Sequence, residues 1–103
     1  MIKLMNVKPI TVTASFQAKP GKQEALKQAL LSLVGPTHKE AGCINYDLHQ
    51  QLEDRNKFLF HENWTSRAHL DEHLKNSHVQ SVLPRMSELC VSPPEIIIWD
   101  KIS

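Results

Sequence analysis

The chain has 103 residues, 41% of them hydrophobic, which suits one folded domain over residues 1–103 and argues against disorder. Twelve Lys and Arg against eleven Asp and Glu leave a charge of +1, so nothing predicts a nucleic acid or membrane partner. Cys43 and Cys90 are too few for a disulfide framework and lack metal-ligand spacing. With no signal-peptide core and no apolar run near ~20 residues, we expect a cytoplasmic protein.

The first part of the chain predicts a strand followed by a helix. Ile10 to Ala18 alternates apolar and polar residues, which indicates a half-buried strand. Lys19-Pro20-Gly21 is a turn, and apolar residues then recur at helical spacing from about Lys22 to Val34. Gly35-Pro36 is predicted to interrupt this helix, and Ala41-Gly42 to stop the turn that follows.

Two further strands and a pair of helices follow. Cys43 to Gln50 and Lys57 to Trp64 both alternate, and their short polar link favours an antiparallel hairpin. Thr65-Ser66 can cap a helix over Arg67 to Lys75. An apolar stripe from Val79 to Cys90, after a second cap at Asn76-Ser77, predicts another helix, which the proline at position 84 should kink.

The last predicted strand, Glu95 to Ile102, carries apolar residues on both faces. Ile96 and Ile98 share one face, and Ile97 and Trp99 lie on the other. The order β-α-β-β-α-β predicts a ferredoxin-like α+β fold, an antiparallel sheet with its helices on one face. Because the helices cover one face only, we predict a homodimer in which a second copy covers the other.

Four short motifs occur in one order along nearly the whole chain, from about position 9 to position 102. They are Ala18-Lys-Pro-Gly-Lys22, Glu40-Ala-Gly-Cys43, Glu62-x-Trp64-x-Ser66 and Leu70-x-x-His73-x-x-x-x-His78. Together they resemble the antibiotic biosynthesis monooxygenase family, and more narrowly its small quinol monooxygenases. The resemblance implies a dimeric α+β barrel with a pocket between sheet and helices in each subunit. It also implies oxidation of a small aromatic or quinol substrate by O₂ without metal or flavin.

The same scaffold hosts other functions, so the fold does not settle the reaction. One alternative is a non-catalytic dimeric barrel that binds a small hydrophobic ligand. Another is a haem-degrading enzyme or an isomerase on the same scaffold. Haem degradation in this superfamily relies on an asparagine in the first strand. Thr11, Thr13 and Ser15 stand there instead, which disfavours that alternative.

The resemblance selects His73 and His78 among the six histidines, because these two match the family pattern by position. A cofactor-free oxygenation needs a base to remove a phenolic proton, and histidine titrates near neutral pH. We predict His73 as the catalytic base and His78 as a substrate-binding residue. In the structural alternative, His73 packs beneath the sheet and His78 only opens the last helix.

Glu62 and Trp64 are predicted to bind substrate beside the base. Trp64 ends a strand just before a helix, where an aromatic ring can wall a pocket or simply fill the core. Glu62 shares its face with apolar residues, so its carboxyl group should be paired or have a raised pKa.

Metal and nucleotide signatures are missing from the sequence. His69 and His73 have helical ligand spacing, but the HExxH pattern is absent and spacing identifies no third ligand. There is no GxGxxG, P-loop or GxSxG motif. The sequence therefore assigns no metal and no cofactor.

Overall fold

The computed structural model describes residues 8–103, which form a four-stranded antiparallel sheet with helices on one face. The strands are β1 (Ile10–Gln17), β2 (Cys43–Gln50), β3 (Lys57–Trp64) and β4 (Glu95–Trp99). The helices are α1 (Gln23–Leu31), α2 (Val34–His38), α3 (Arg67–Lys75), α4 (Ser77–Val82) and α5 (Met86–Leu89), with a 3₁₀ turn at Leu83–Arg85. The predicted ferredoxin-like α+β fold is confirmed.

The sheet order is β2-β3-β1-β4, so β1 and β3 form its centre. These two strands pair over their full length, from Ile10 opposite Trp64 to Gln17 opposite Lys57. Their side chains alternate between the two faces, as the period of two predicts. The helix-facing side forms the core, with these buried strand residues: Val12, Ala14, Phe16, Phe58, Phe60, Glu62 and Trp64.

The helical segment after β1 differs from the prediction in where it breaks. The break lies at Ser32 and Leu33, and Gly35-Pro36 lies inside α2, so the predicted interruption at these two residues was wrong. Pro36 occupies the first turn of α2, where a backbone N–H has no intrahelical acceptor and its loss costs nothing. The last strand also ends at Trp99 rather than Ile102.

The boundary between α3 and α4 lies at the predicted second cap. The backbone of Asn76 is extended, with φ −67° and ψ 149°, and its side chain accepts a hydrogen bond from the Ser77 N–H. The first cap is also confirmed, because the Ser66 side chain accepts from the His69 N–H. Pro84 lies in the 3₁₀ turn, so the regular helix ends at Val82, as the proline predicts.

Strand β4 is exposed on both faces. Ile97 and Trp99 pair with Thr13 and Thr11 on the side away from the helices, and the Trp99 Nε1–H donates to Thr13 Oγ1 at 2.8 Å. Every residue from Ile96 to Trp99 keeps at least 36% of its surface exposed. This leaves an apolar edge on the single chain.

Within residues 8–103, no helix is both long enough and apolar enough to cross a membrane.

Gly42, between α2 and β2, is constrained both by its positive φ and by the close approach of His69. Substituting this glycine and Gly21 distinguishes the two effects. The φ of +82° at Gly42 costs a side-chain-bearing residue roughly 1–2 kcal/mol, and an added Cβ would lie 2.2 Å from His69 Cγ. Gly21 has a similar φ of +80°, but no atom in the described part of the chain lies within 4 Å of its added Cβ. We expect Gly42→Ala to lower the free energy of unfolding more than Gly21→Ala does, as measured by urea denaturation.

The control is Gly35→Ala in α2, where no atom of residues 8–103 lies within 4 Å of an added Cβ. Alanine should be neutral or stabilising by up to ~1 kcal/mol at this helical position. If the Gly42 and Gly21 variants lose the same free energy of unfolding, the close approach of His69 does not contribute to the cost of a side chain at position 42.

Candidate functional site

His73 points into the protein from the last turn of α3 and is only 3% exposed. Its ring centroid lies 4.7 Å from that of Trp64 and 5.3 Å from that of Tyr46. Tyr46 and Trp64 come from β2 and β3, so the imidazole is held between a helix and the sheet. An inward-facing His73 beside Trp64 fits both the predicted base and the structural alternative in which it packs beneath the sheet.

Glu40, which sequence reasoning did not select, lies at the centre of the site. Its Oε2 is 2.9 Å from Nδ1 of His73 and 2.6 Å from Nε2 of His78. A carboxylate only accepts hydrogen bonds, so each imidazole donates an N–H to the same oxygen. Thr37 Oγ1 also lies 3.3 Å from Nε2 of His78. Glu40 belongs to the motif before β2, but no spacing rule links it to residues more than thirty positions away.

The break at Asn76 lets both histidines reach Glu40. In one continuous helix, residues five apart point about 140° away from each other. The extended backbone of Asn76 ends α3 and restarts the chain as α4 in a new direction. His73 and His78 consequently converge, and their ring centroids lie 6.1 Å apart.

The bond to Glu40 determines which nitrogen of His73 remains available. Among residues 8–103, Nδ1 is the only His73 ring atom with a hydrogen-bond partner. With the proton on Nδ1, a neutral imidazole carries its free lone pair on Nε2. Burial lowers the pKa of His73, and the hydrogen bond to Glu40 opposes that shift. Burial therefore favours the neutral form that can act as a base.

Glu62 places a carboxyl group on the same side of the sheet. The Trp64 Nε1–H donates to Glu62 Oε1 at 2.9 Å. Burial raises the pKa of Glu62 to about 7; the Trp64 hydrogen bond opposes this shift and the charge of Glu40 adds to it. Burial, with a smaller effect from Glu62, also raises the pKa of Tyr46, which keeps its hydroxyl protonated.

A cavity of about 40 Å³ lies between sheet and helices and touches His73, Glu62 and Tyr46. The rest of its lining is apolar: Val12, Ala14, Phe16, Leu33, Phe60, Leu70, Leu74, Val79, Leu83 and Ile96. A cavity that binds benzene measures about 150 Å³, so this one has room for water but not for an aromatic ring. A ring could enter only if helix side chains move.

The other predicted site residues lie around this cavity rather than in its wall. Trp64 is fully buried behind His73 and holds Glu62. His78 is bonded to Glu40 and Thr37 and does not line the cavity. His69 lies apart from the cluster, with Nδ1 at 2.9 Å from Ser66 Oγ.

A larger depression of about 560 Å³ opens on the other side of the sheet, near the ends of the strands. Its lining includes Ser15, His49, Leu59 and Glu95 but no residue of the Glu40 cluster. Among residues 8–103, the ionisable groups that line the smaller cavity are His73, Glu62 and Tyr46.

Comparison with known proteins decides the family. The sequence profile described as Antibiotic biosynthesis monooxygenase matches residues 9–85. The chain belongs to the antibiotic biosynthesis monooxygenase family. The matched range contains the whole Glu40 cluster together with Glu62 and Trp64, so every site residue lies in the family's domain.

Relatives of this family member share both sequence and fold. It is 32% identical over 90 residues to the Mycobacterium tuberculosis protein "Putative monooxygenase Rv0793", a match covering 87% of this chain and 88% of the relative. The solved structure of Rv0793 superimposes with a TM-score of 0.88 at 29% identity, over 93% of this chain and 97% of that one. Protein SO0527 from Shewanella oneidensis superimposes with a TM-score of 0.86 at 36% identity, over 91% of each chain.

A third relative is longer than this monooxygenase-family chain. The Synechocystis protein "Uncharacterized protein sll1783" is 32% identical over 91 residues, which are 88% of this chain and 62% of the relative. The chain thus spans less than two thirds of that protein's length.

The raised pKa of Glu62 makes stability depend on pH. Between about pH 4.5 and pH 7 the folded protein keeps Glu62 protonated, whereas the unfolded chain ionises it, so stability falls as pH rises. The loss is on the order of 3 kcal/mol, since each pKa unit corresponds to about 1.4 kcal/mol. Glu62→Gln should abolish this part of the decline in urea denaturation between about pH 5 and pH 8.

Glutamine keeps an oxygen that can accept the Trp64 N–H, so the variant should retain its packing. Glu53→Gln, in the exposed turn before β3, serves as the control and should leave the pH dependence unchanged. A Glu62→Gln protein that still lost stability at the wild-type rate over this pH range would contradict the assignment.

Proposed function

We propose that the protein is a cofactor-independent monooxygenase that oxidises a small aromatic or quinol substrate with O₂. The observation that carries the proposal is the Glu40–His73 pair, whose imidazole lines a small, largely apolar cavity. The pair orients a buried, neutral imidazole so that Nε2 is free to take a proton. Membership of the antibiotic biosynthesis monooxygenase family supports the same reaction class.

In the proposed reaction, His73 Nε2 removes the phenolic proton of the substrate. The resulting anion gives up electrons to O₂ far more readily than the neutral phenol does. One oxygen atom then becomes a new ring carbonyl and the other leaves as water, while the ring loses two hydrogens. The substrate supplies all four electrons, so the balance needs no external reductant.

Glu40 acts as the positioning residue for this base. Its carboxylate holds the proton on Nδ1 of His73 and stabilises the imidazolium that forms when Nε2 accepts a second proton. Glu62, which the Trp64 indole orients, lies on the cavity wall, where its protonated form can donate to a substrate oxygen. His78 is proposed to act on the substrate only through Glu40, because it does not line the cavity.

Substrate entry requires the cavity to widen. Leu70 and Leu74 of α3, Val79 of α4 and Leu83 of the 3₁₀ turn form its helical side. Two helix breaks, at Asn76 and at the 3₁₀ turn, lie within this segment. We infer that the segment between β3 and β4 moves outward to admit a ring and closes again over it, which would exclude water during reaction.

We further propose that the active form is a homodimer. The apolar edge at β4 leaves Ile97 and Trp99 uncovered on the sheet face opposite the helices. Burying such residues against a second copy would remove apolar surface from water at about 25 cal/mol per Å². A two-fold pairing is the commonest way for a chain to cover its own exposed face.

Light scattering at micromolar concentration should give the mass of a dimer for the wild-type chain. Ile97→Asp should shift the protein toward monomer, because it places a charge in the proposed interface. Leu52→Asp is the matched control, since Leu52 is 87% exposed in the β2–β3 turn and should leave the dimer intact. A monomeric wild-type protein would overturn the proposed assembly.

His73→Ala should reduce oxygen uptake with a small hydroquinone by a factor of ~10²–10⁴, the usual contribution of general-base catalysis. The uptake is measured with an oxygen electrode against the uncatalysed background, and labelled O₂ confirms that one oxygen enters the product. The melting temperature of each variant is measured alongside. His49→Ala, at an exposed position on β2, is the matched control and should keep full activity.

Added imidazole distinguishes a base from a structural residue. Free imidazole should restore part of the turnover of His73→Ala, since it can occupy the space left by the side chain. Glu40→Gln should lower kcat more than it changes KM, because it weakens orientation of the base rather than substrate binding. If a hydroquinone raises the melting temperature of the wild-type protein without any oxygen uptake, the protein is a binding module instead.

A further inference from the structure

Glu40, His73 and His78 direct one ligand atom each toward a common point. The atoms are the carboxylate oxygen, Nδ1 of His73 and Nε2 of His78, and all lie within 4.8 Å of one another. Two imidazole nitrogens and one carboxylate oxygen form a donor set that suits Zn²⁺ and similar divalent transition metals. We propose that these three residues bind one such ion, and that bound Zn²⁺ switches off the base.

The three ligand atoms must adjust their spacing to hold zinc. A tetrahedral ion with bonds of about 2.0–2.1 Å separates its ligand atoms by about 3.4 Å. The oxygen of Glu40 now lies 2.9 and 2.6 Å from the two nitrogens, so it would withdraw by about 0.5–0.8 Å. A turn of the Glu40 side chain can supply this displacement, and the two nitrogens, which lie within 4.8 Å of each other, would also settle about 3.4 Å apart.

One of the three ligands is buried and held in place, and the other two are partly exposed to solvent. The His73 side chain is 4% exposed and is held by aromatic rings, so it forms the fixed inner wall. The side chains of Glu40 and His78 are 10% and 20% exposed, so a hydrated ion can approach from their side. The fourth position then faces solvent and can keep a water molecule, as in open zinc sites.

The local charge also favours a cation. The carboxylate of Glu40 faces two imidazoles that carry no charge when neutral, so the three ligands together carry a net charge of −1.

Zinc binding would change the tautomer of His73, a consequence that rests on the proposed function. Coordination at Nδ1 uses the lone pair on that atom, so the single proton of the neutral imidazole moves to Nε2. The ring then presents an N–H to the cavity in place of a lone pair and cannot accept a phenolic proton. Zinc has no redox chemistry and takes no part in the oxygen reaction, so it would act only as an inhibitor.

Calorimetric titration of chelator-treated protein with Zn²⁺ tests the binding site without any substrate. We expect one ion per chain, and Co²⁺ in its place should give the visible spectrum of a tetrahedral nitrogen and oxygen site. His78→Ala should weaken binding by more than the roughly 10–100-fold that loss of an outer partner costs. His78 is partly exposed, so this variant should fold even if His73→Ala does not.

The matched control is His69→Ala, because His69 lies four residues before His73 but turns toward Thr65 and Ser66. It should leave zinc affinity unchanged. Absence of saturable binding would overturn the site. An equal loss of affinity in the His69 and His78 variants would overturn it too, since ordinary surface histidines would then explain the binding.

Turnover measured against zinc concentration tests the switch separately. Half of the hydroquinone oxidation should be lost at the concentration that half-saturates the calorimetric site. Full occupancy without inhibition would overturn the tautomer switch but support the metal site. If metal-free protein shows no oxygen uptake, the proposed function fails, while the zinc titration still decides the metal site.

Discussion

The carboxylate of Glu40 is the constraint on which the site depends. One of its oxygens accepts hydrogen bonds from both His73 and His78, and thereby joins the segment after α2 to two consecutive helices. A carboxylate with only 10% of its side chain exposed is costly unless donors surround it, and two imidazole N–H groups meet that need here. The same contact orients His73, fixes its tautomer and leaves Nε2 free beside the cavity. Removing Glu40 would disturb all of these features together.

The carboxyl group of Glu62 is buried on the apolar face of its strand, where it also needs a hydrogen-bond donor. Phe58, Phe60 and Trp64 share its face, and among residues 8–103 only the Trp64 indole donates to it. A single neutral donor compensates burial poorly, so the carboxyl group keeps its proton up to about neutral pH. Departures of this kind from local rules are expected where a fold carries a site. Glu40 is stabilised as a carboxylate by two donors, whereas Glu62 has one donor and is stabilised by keeping its proton.

The sequence predicted the framework well because its signals are local. Alternation located β2 and β3 at their observed bounds, and the caps at Ser66 and Asn76 located the start of α3 and the break before α4. Gly35-Pro36 misled the prediction because proline disrupts a helix interior but is tolerated in a first turn. The new helix begins at Val34, two residues before Pro36. Tertiary packing decides where such a helix begins, and a sequence pattern does not show that packing.

The sequence by itself determined the fold class, the family resemblance and the selection of His73, Glu62 and Trp64. Each of these follows from residues close together in the chain or from motifs in a fixed order. The tertiary structure alone decided that Glu40 joins His73 and His78, and that the cavity beside them is only about 40 Å³. Both results depend on the angle at Asn76 and on side-chain packing between sheet and helices. Such distances arise from contacts between residues far apart in the chain, and no local pattern encodes them.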